Sequence, residues 1–154
     1  MNNAHKLWLL VILAAATVAV FTIPRPQTGV SPAKFQIGEA TLGVEVADTE
    51  ALKMQGLSGR SSLAENSGML FKFASADRYS FWMKDMRFGL DFIWIADGRV
   101  TEIDHNVPVQ SGVPDEKLNV YQPLAPVDSM LEVNSGWAQR HGVKVGDSAE
   151  FLAP

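Results

Sequence analysis

The feature that most constrains this chain is a continuous apolar segment near its N-terminus. Residues 7–23 contain no charged side chain, and their number lies at the short end of the roughly 17 to 25 residues that cross a bilayer as a helix. The segment is longer than the hydrophobic region of a typical secretory signal, which has about 7 to 15 residues. Lys6 directly precedes it and favours a cytoplasmic N-terminus. The pattern therefore predicts a single span of the inner membrane, with the rest of the chain facing the periplasm or the cell exterior.

Two other interpretations of residues 1–23 stay open. Small residues at positions 17–19 would allow cleavage of a signal peptide, and the protein would then be secreted. A buried core helix is the third interpretation, although two prolines follow the segment closely. Residues 24–33 contain three prolines and no apolar periodicity, which predicts a stiff, extended tether. Residues 34–154 are long enough to form one domain with a core of its own.

The composition excludes several classes of function. The net charge is −4 and no cluster of Lys and Arg occurs, so nucleic acid is not an expected partner. The chain has no cysteine, which excludes disulfides and lipid attachment through an N-terminal Cys. His105 and His141 are the histidines of the domain and lie far apart in sequence. Because metal sites need clustered ligands, we predict no metal and no cofactor.

Alternating hydrophobicity predicts a domain that is rich in β-strands. Residues 35–37 and 42–46 alternate on either side of a Gly-Glu pair, as expected for two strands joined by a tight turn. Residues 90–103 predict a hairpin around Asp97-Gly98, because this pair tolerates the positive φ of a two-residue turn. Its first arm is apolar on both faces, which indicates a strand that is covered on both sides. Further strands are predicted at residues 69–73, 79–84 and 130–133, with a last strand reaching residue 151.

Two short helices complete the predicted fold. Asp48 is the expected N-cap of the first helix, with Gly56 at its end, and Asn134 is the expected N-cap of the second, which contains Trp137. The predicted class is mainly β (α+β), an antiparallel β-sandwich or a partly open barrel with two short helices behind the N-terminal helix. Residues 106–126 contain four prolines and no periodicity, and loops of this length are often functional or mobile.

Several motifs occur in order along the predicted exported part. They are residues 55–60 (QGLSGR), 68–71 (GMLF), 80–86 (SFWMKDM), 90–91 (LD), 131–137 (LEVNSGW) and 146–147 (GD). Over residues 40–151 the chain resembles an uncharacterised prokaryotic family called domain of unknown function 192. The resemblance implies a β-rich, sandwich-type domain that often follows a leader or anchor, with no general activity assigned.

The chain departs from this family at three places. Asp85 stands where many members have Asn, and Gly89 stands where they have Pro. Some members carry a pair of cysteines in the long loop, which this chain lacks. The resemblance therefore implies no redox or metal role for this loop here.

Five residues form a candidate binding pocket. Trp82 and Lys84 share one face of a predicted strand, and Arg60, Asp91 and Glu132 would supply polar groups beside the indole ring. If the strand at 79–84 pairs with the strand that begins at Leu90, Lys84 lies close to Asp91. The alternative interpretation is structural: Lys84–Asp91 and Arg60–Glu132 would be ion pairs that fix the strand register.

The expected function is binding without catalysis. The ligand would be a small molecule, an envelope polymer or a partner protein. The alternative hypothesis is an envelope hydrolase that uses Asp91 and Glu132 as acid and base together with Lys84. A purely structural assembly factor is a third class. The sequence shows no recognisable catalytic constellation, because Ser58 lacks the glycine spacing of a nucleophile elbow and has no His placed to activate it.

Overall fold

The computed structural model describes residues 32–153. The predicted membrane or signal helix at residues 1–23 lies outside this range, as does almost all of the predicted tether at residues 24–33. Within residues 32–153, every helix is too short to cross the apolar interior of a bilayer.

The described part of the chain is mainly β, with two short α-helices, which confirms the predicted content. Its strands are β1 (Ala33–Ile37), β2 (Ala40–Ala47), β3 (Ser67–Asp77), β4 (Leu90–Ala96), β5 (Arg99–Val107), β6 (Val127–Asn134) and β7 (Ala149–Phe151). The helices are α1 (Glu50–Gln55) and α2 (Trp137–Arg140), and a single 3-10 turn (Asp115–Lys117) lies in the long loop. All seven strands belong to one sheet in the order β5-β4-β6-β3-β2-β1-β7.

The sheet is a curled half-barrel and not two stacked sheets. Its edges meet at one end, where Arg99 at the start of β5 forms an antiparallel bridge with Ser148 next to β7. The Ala149 N–H donates to the Gly98 carbonyl at 2.9 Å across the same junction. The predicted purely antiparallel arrangement is wrong at one place, since β2 and β3 are parallel. A parallel pair needs a crossover connection, and α1 with the loop after it supplies one.

Side chains on the two faces of the sheet form two separate cores. The first, here called the seven-strand core, receives a buried side chain from every strand and from α2; its largest members include Ile37, Leu70, Ile93, Leu131 and Trp137. The second, here called the loop-covered core, lies on the opposite face of β3, β6 and β4 and includes Met69, Phe71, Phe92, Trp94 and Met130. Leu57, Met83 and Met86 cover this second core from loops. The central strands are therefore buried on both faces.

The hairpin prediction is confirmed. Asp97 and Gly98 connect β4 to β5 with φ values of 50° and 69°, and β4 is buried on both faces from Leu90 to Ile95. Trp94 is fully buried, as its apolar surroundings in the sequence indicate.

Three local predictions are wrong. Residues 79–84 form no strand, and only Phe81 forms a single bridge, with Tyr121 of the long loop. Their alternating side chains instead cover the sheet face. Thr49, not Asp48, caps α1 by accepting a hydrogen bond from the Leu52 N–H. Asn134 does not cap α2, because its side-chain amide donates to the Leu63 carbonyl at 3.1 Å.

Candidate functional site

Asp91 is a fully buried carboxylate that holds the fold together. Its Oδ1 accepts hydrogen bonds from the backbone N–H groups of Asn106 at 2.8 Å and Gly136 at 2.9 Å. Its Oδ2 accepts a third from the Ala138 N–H at 3.0 Å. Gly136, at the N-cap position of α2, has no side chain to cap the helix, and Asp91 takes over this role from a neighbouring strand. Asp91 thus joins β4, β5 and α2.

Arg60 and Lys84 form ion pairs, but not with the predicted partners. The Arg60 guanidinium contacts both carboxylate oxygens of Glu45 on β2, at 2.5 and 2.8 Å. This hydrogen bonding holds the pKa of Glu45 below its usual value. The Lys84 ammonium pairs with Asp115 of the long loop, which raises the pKa of Lys84. The predicted pairs Lys84–Asp91 and Arg60–Glu132 are wrong. Residues 79–84 do not form the strand that would bring Lys84 to Asp91, and the Arg60 guanidinium is paired with Glu45.

Glu132 is a buried acid with an oxygen that has no hydrogen-bond partner. It lies in the middle of β6, directly between Met69 on β3 and Phe92 on β4. Only 5% of the residue is exposed, and its Oε2 has no hydrogen-bond partner among residues 32–153. Burial raises the pKa of Glu132 to about 8, and the positive charge of Arg60 opposes this shift only in part. Glu132 is therefore mainly protonated at pH 7.

Glu132 lies at the base of a cleft of about 410 Å³, here called the aromatic cleft. One side of the cleft is α1 with residues 56–58, and the other is formed by the end of β3 and by residues 79–82. Its apolar and aromatic lining residues are Met54, Leu57, Phe71, Phe73, Ala74, Tyr79, Phe81, Trp82 and Met86. A cleft of this size with apolar walls and a few polar groups is typical of small-molecule sites.

The aromatic rings of the cleft support one another. The rings of Phe73 and Tyr79 stack with centroids 3.6 Å apart, and Phe81 packs edge-to-face on Phe71 at 4.9 Å. The Tyr79 hydroxyl donates to the Ser75 carbonyl at 2.7 Å. Trp82 is 55% exposed, which is unusual for so large an apolar side chain. The walls are thus held in place, while the indole ring remains open to a ligand.

The structure brings two of the five predicted site residues into one cleft. Trp82 and Glu132 both line it, and Arg60 is close enough for its charge to act on Glu132. Lys84 and Asp91 do not line the cleft. The aromatic residues at 71, 73, 79 and 81 also line the cleft and are not among the five predicted residues. Their i, i+2 spacing was visible in the sequence and could have indicated a shared aromatic surface.

The acid–base pair of the hydrolase hypothesis is not formed. In the pairing of β4 with β6, Phe92 lies opposite Glu132 and Asp91 lies opposite Val133. Because successive residues of a strand point to opposite faces, the two carboxyl groups lie on opposite sides of the sheet. Lys84 cannot join them while it is paired with Asp115.

A second depression, of about 550 Å³, lies beside the aromatic cleft and shares Ser58 and Met86 with it. It lies between residues 83–87 and the long loop, and its Asp115 is already paired with Lys84. Among residues 32–153, the buried side-chain atoms without a partner are Glu132 Oε2 and Trp137 Nε1, and neither residue lines this depression. The same range contains no cluster of three potential metal ligands. The aromatic cleft is therefore the stronger candidate site.

Comparisons with known proteins identify relatives of this domain. The family model described as "Uncharacterized ACR", domain of unknown function 192, matches residues 33–151. The chain is similar to a crystal structure of a Sinorhizobium meliloti protein that is described as a proposed transcription regulator. The two sequences are 33% identical and the TM-score is 0.69. The match covers 79% of this chain and 96% of the Sinorhizobium meliloti chain. A protein of unknown function from Novosphingobium aromaticivorans is 28% identical, with a TM-score of 0.71 and coverage of 82% and 89%. The comparison with curated proteins gave no match.

Replacing Asp91 with Asn should destabilise the fold. The amide would lose the negative charge and would present an N–H₂ group to one of the three backbone N–H donors. We expect the free energy of unfolding to fall by about 2 to 4 kcal/mol, measured by denaturant unfolding. Asp104→Asn is the matched control, because its Oδ2 accepts one hydrogen bond, from Trp94 Nε1, and an amide oxygen can replace it. Equal stability of the Asp91→Asn variant and the native protein would contradict the role given to Asp91.

Glu132 should make the stability of the protein depend on pH. Its pKa is raised from 4.5 to about 8 in the folded state, so the folded state binds more protons than the unfolded state between these values. Stability should therefore fall as the pH rises from about 5 to 8, by up to about 1.4 kcal/mol per pH unit. Glu132→Gln should remove this loss and be more stable than the native protein at pH 8.5.

The measurement is the free energy of unfolding of both proteins at several pH values. The difference between the two free energies of unfolding at each pH cancels the contribution of the other titrating groups and leaves that of Glu132. Glu39→Gln, which removes an exposed carboxyl from the β1–β2 turn, is the control and should follow the native profile. A constant difference between native protein and Glu132→Gln across pH 5 to 8.5 would show that Glu132 is ionised in the folded state.

Proposed function

The chain belongs to the family called domain of unknown function 192, and we propose that its domain binds a small ligand, without catalysis, in the aromatic cleft above Glu132. The observation that carries the proposal is the unpaired Glu132 Oε2 at the base of a cleft with aromatic walls. A buried polar group without a partner costs about 1 to 3 kcal/mol. A ligand that hydrogen-bonds to it recovers this free energy, so the cleft is suited to hold one.

The exposed apolar side chains at the cleft also favour a binding role. Met54 is 84% and Trp82 is 55% exposed, and both line the aromatic cleft. Apolar surface of this kind gains free energy when a ligand covers it, by about 25 cal/mol per Å². The acidic composition of the chain does not favour the nucleic-acid binding that a transcription regulator would need.

We propose that the domain acts at the cell envelope, tethered to the inner membrane on its outer side. This rests on the apolar residues 7–23 and on the tether predicted after them. A fusion of alkaline phosphatase to the C-terminus should be active, because this enzyme needs export to form its disulfides. An inactive phosphatase fusion, together with an active cytoplasmic reporter at the same position, would contradict the proposed location.

Ligand binding can be tested on the full-length chain in lipid nanodiscs. A panel of amines, sugars, nucleotides and short peptides would be screened by thermal shift, with empty nanodiscs as the reference. We expect one compound class to raise the melting temperature by several degrees. Trp82→Ala should weaken its binding about tenfold, since a stacked aromatic ring contributes roughly 1 kcal/mol or more.

Leu124→Ala is the matched control for this experiment. Leu124 is 83% exposed and does not line the aromatic cleft, so its truncation removes exposed apolar surface without changing the site. The control variant should bind as the native protein does. If both Trp82→Ala and Glu132→Gln bind the compound as the native protein does, the ligand binds elsewhere and the proposal is contradicted. A panel in which no compound binds would also contradict the proposal.

A further inference from the structure

The aromatic wall of the cleft already holds one ammonium group. The Lys53 Nζ lies 5.4 Å from the centre of the Phe73 ring, and it also pairs with Glu50 on α1 at 3.0 Å. Aromatic rings carry a negative potential on their faces and attract cations within about 6 Å. Lys53 lines the cleft together with the stacked Phe73 and Tyr79 rings. The aromatic wall of the cleft can therefore lie next to a positively charged ammonium group.

The base of the cleft can supply a negative charge. Glu132 is 5% exposed and its Oε2 has no partner. A carboxylate in such apolar surroundings is stable only beside a positive group that also donates hydrogen bonds. Within residues 32–153 the positive charge of Arg60 acts on Glu132, but Glu45 binds the Arg60 guanidinium through both oxygens. An ammonium group, with up to three N–H donors, would fit this position.

We infer that the aromatic cleft binds a small organic amine, with its ammonium group paired to Glu132 and its apolar body against the aromatic wall that Phe73, Phe81 and Trp82 form. This inference rests on the proposed function and adds the chemical class of the ligand. A volume of about 410 Å³ suits a small molecule. Once Glu132 has lost its proton, an alcohol could hydrogen-bond to it but could not balance its negative charge, and a carboxylate ligand would be repelled.

Binding of an amine should release a proton from Glu132. Burial raises the pKa of this residue to about 8, so the acid must lose its proton before it can form an ion pair with an ammonium group. The other charged groups are already paired. Lys53 and Glu50, which line the cleft, pair with each other, and Arg60, whose charge acts on Glu132, pairs with Glu45. On the same sheet face, Asp104 of β5 lies opposite Phe92 and accepts a hydrogen bond from Trp94. Amine affinity should therefore rise with pH up to about 8 and then become constant.

The test compares three probes of similar size that differ in the charge of the head group. They are 2-phenylethylammonium, 2-phenylethanol and 3-phenylpropanoate. Dissociation constants would be measured on the full-length chain in lipid nanodiscs, from the NMR methyl signals of Met54 and Met86, which line the cleft. At pH 8.5 the ammonium compound should bind at least tenfold more tightly than the alcohol, and the carboxylate least tightly.

Two variants identify the acid that pairs with the amine. Glu132→Gln should weaken binding of 2-phenylethylammonium at least tenfold and change binding of 2-phenylethanol less than threefold. Glu65→Gln is the matched control, because Glu65 is an exposed acid that pairs with Arg140 and does not line the cleft. It should change amine affinity less than threefold. An amine affinity that is unchanged in Glu132→Gln would overturn the inference.

The pH dependence tests the inference without a variant. From pH 6 to 7.5 the amine affinity of the native protein should rise by up to tenfold per pH unit, whereas the affinity for 2-phenylethanol should not rise. Equal or tighter binding of the alcohol or the carboxylate would overturn the amine assignment and leave the proposed site intact. Failure of all three probes to bind would contradict both the amine assignment and the proposed binding site. A tenfold preference for Nα-acetyl-lysine amide over 2-phenylethylammonium would assign the cleft to a protein side chain and also overturn the inference.

Discussion

The central strands β3, β6 and β4 carry apolar side chains on both faces, so each face of the sheet needs a cover. The curl of the sheet, together with α2 and β7, covers the seven-strand core. Loops cover the other face, with Leu57, Met83 and Met86 as buried contacts. A loop cover is less continuous than a strand or a helix, and the aromatic cleft lies where α1 and residues 79–82 fail to meet. The position of the candidate site thus follows from the way in which this sheet is buried.

Two buried acids in neighbouring strands have opposite roles in this framework. Asp91 accepts three backbone hydrogen bonds, which compensate for the loss of water and connect three elements. Glu132, on the other face of the sheet, has an oxygen with no partner and opens toward the cleft. An acid that is satisfied by the backbone stabilises a fold. An acid that is buried but unsatisfied costs stability, and a ligand can recover that cost.

The sequence predicted what depends on local pattern. Asp97-Gly98 predicted the hairpin through its positive φ, and the continuous apolar run predicted the burial of β4. Alternation at residues 79–84 predicts a strand that does not form, because alternation indicates which side chains face a core and not whether the backbone pairs with a strand. The partners of Arg60 and Lys84 cannot be predicted from local pattern for a related reason. Glu45 and Asp115 come from segments 15 and 31 residues away, and only the folded chain brings them together.

The most direct test of this account is the ionisation of Glu132 itself. The carboxyl carbons of the full-length protein can be labelled with ¹³C, and the signal that disappears in Glu132→Gln can be followed by NMR as the pH changes. We expect a midpoint near pH 8, because burial raises the pKa of Glu132. A midpoint near the ordinary glutamate value of 4.5 would show that Glu132 is ionised and solvated or paired at neutral pH. The basis for a ligand site at the base of the aromatic cleft would then be lost.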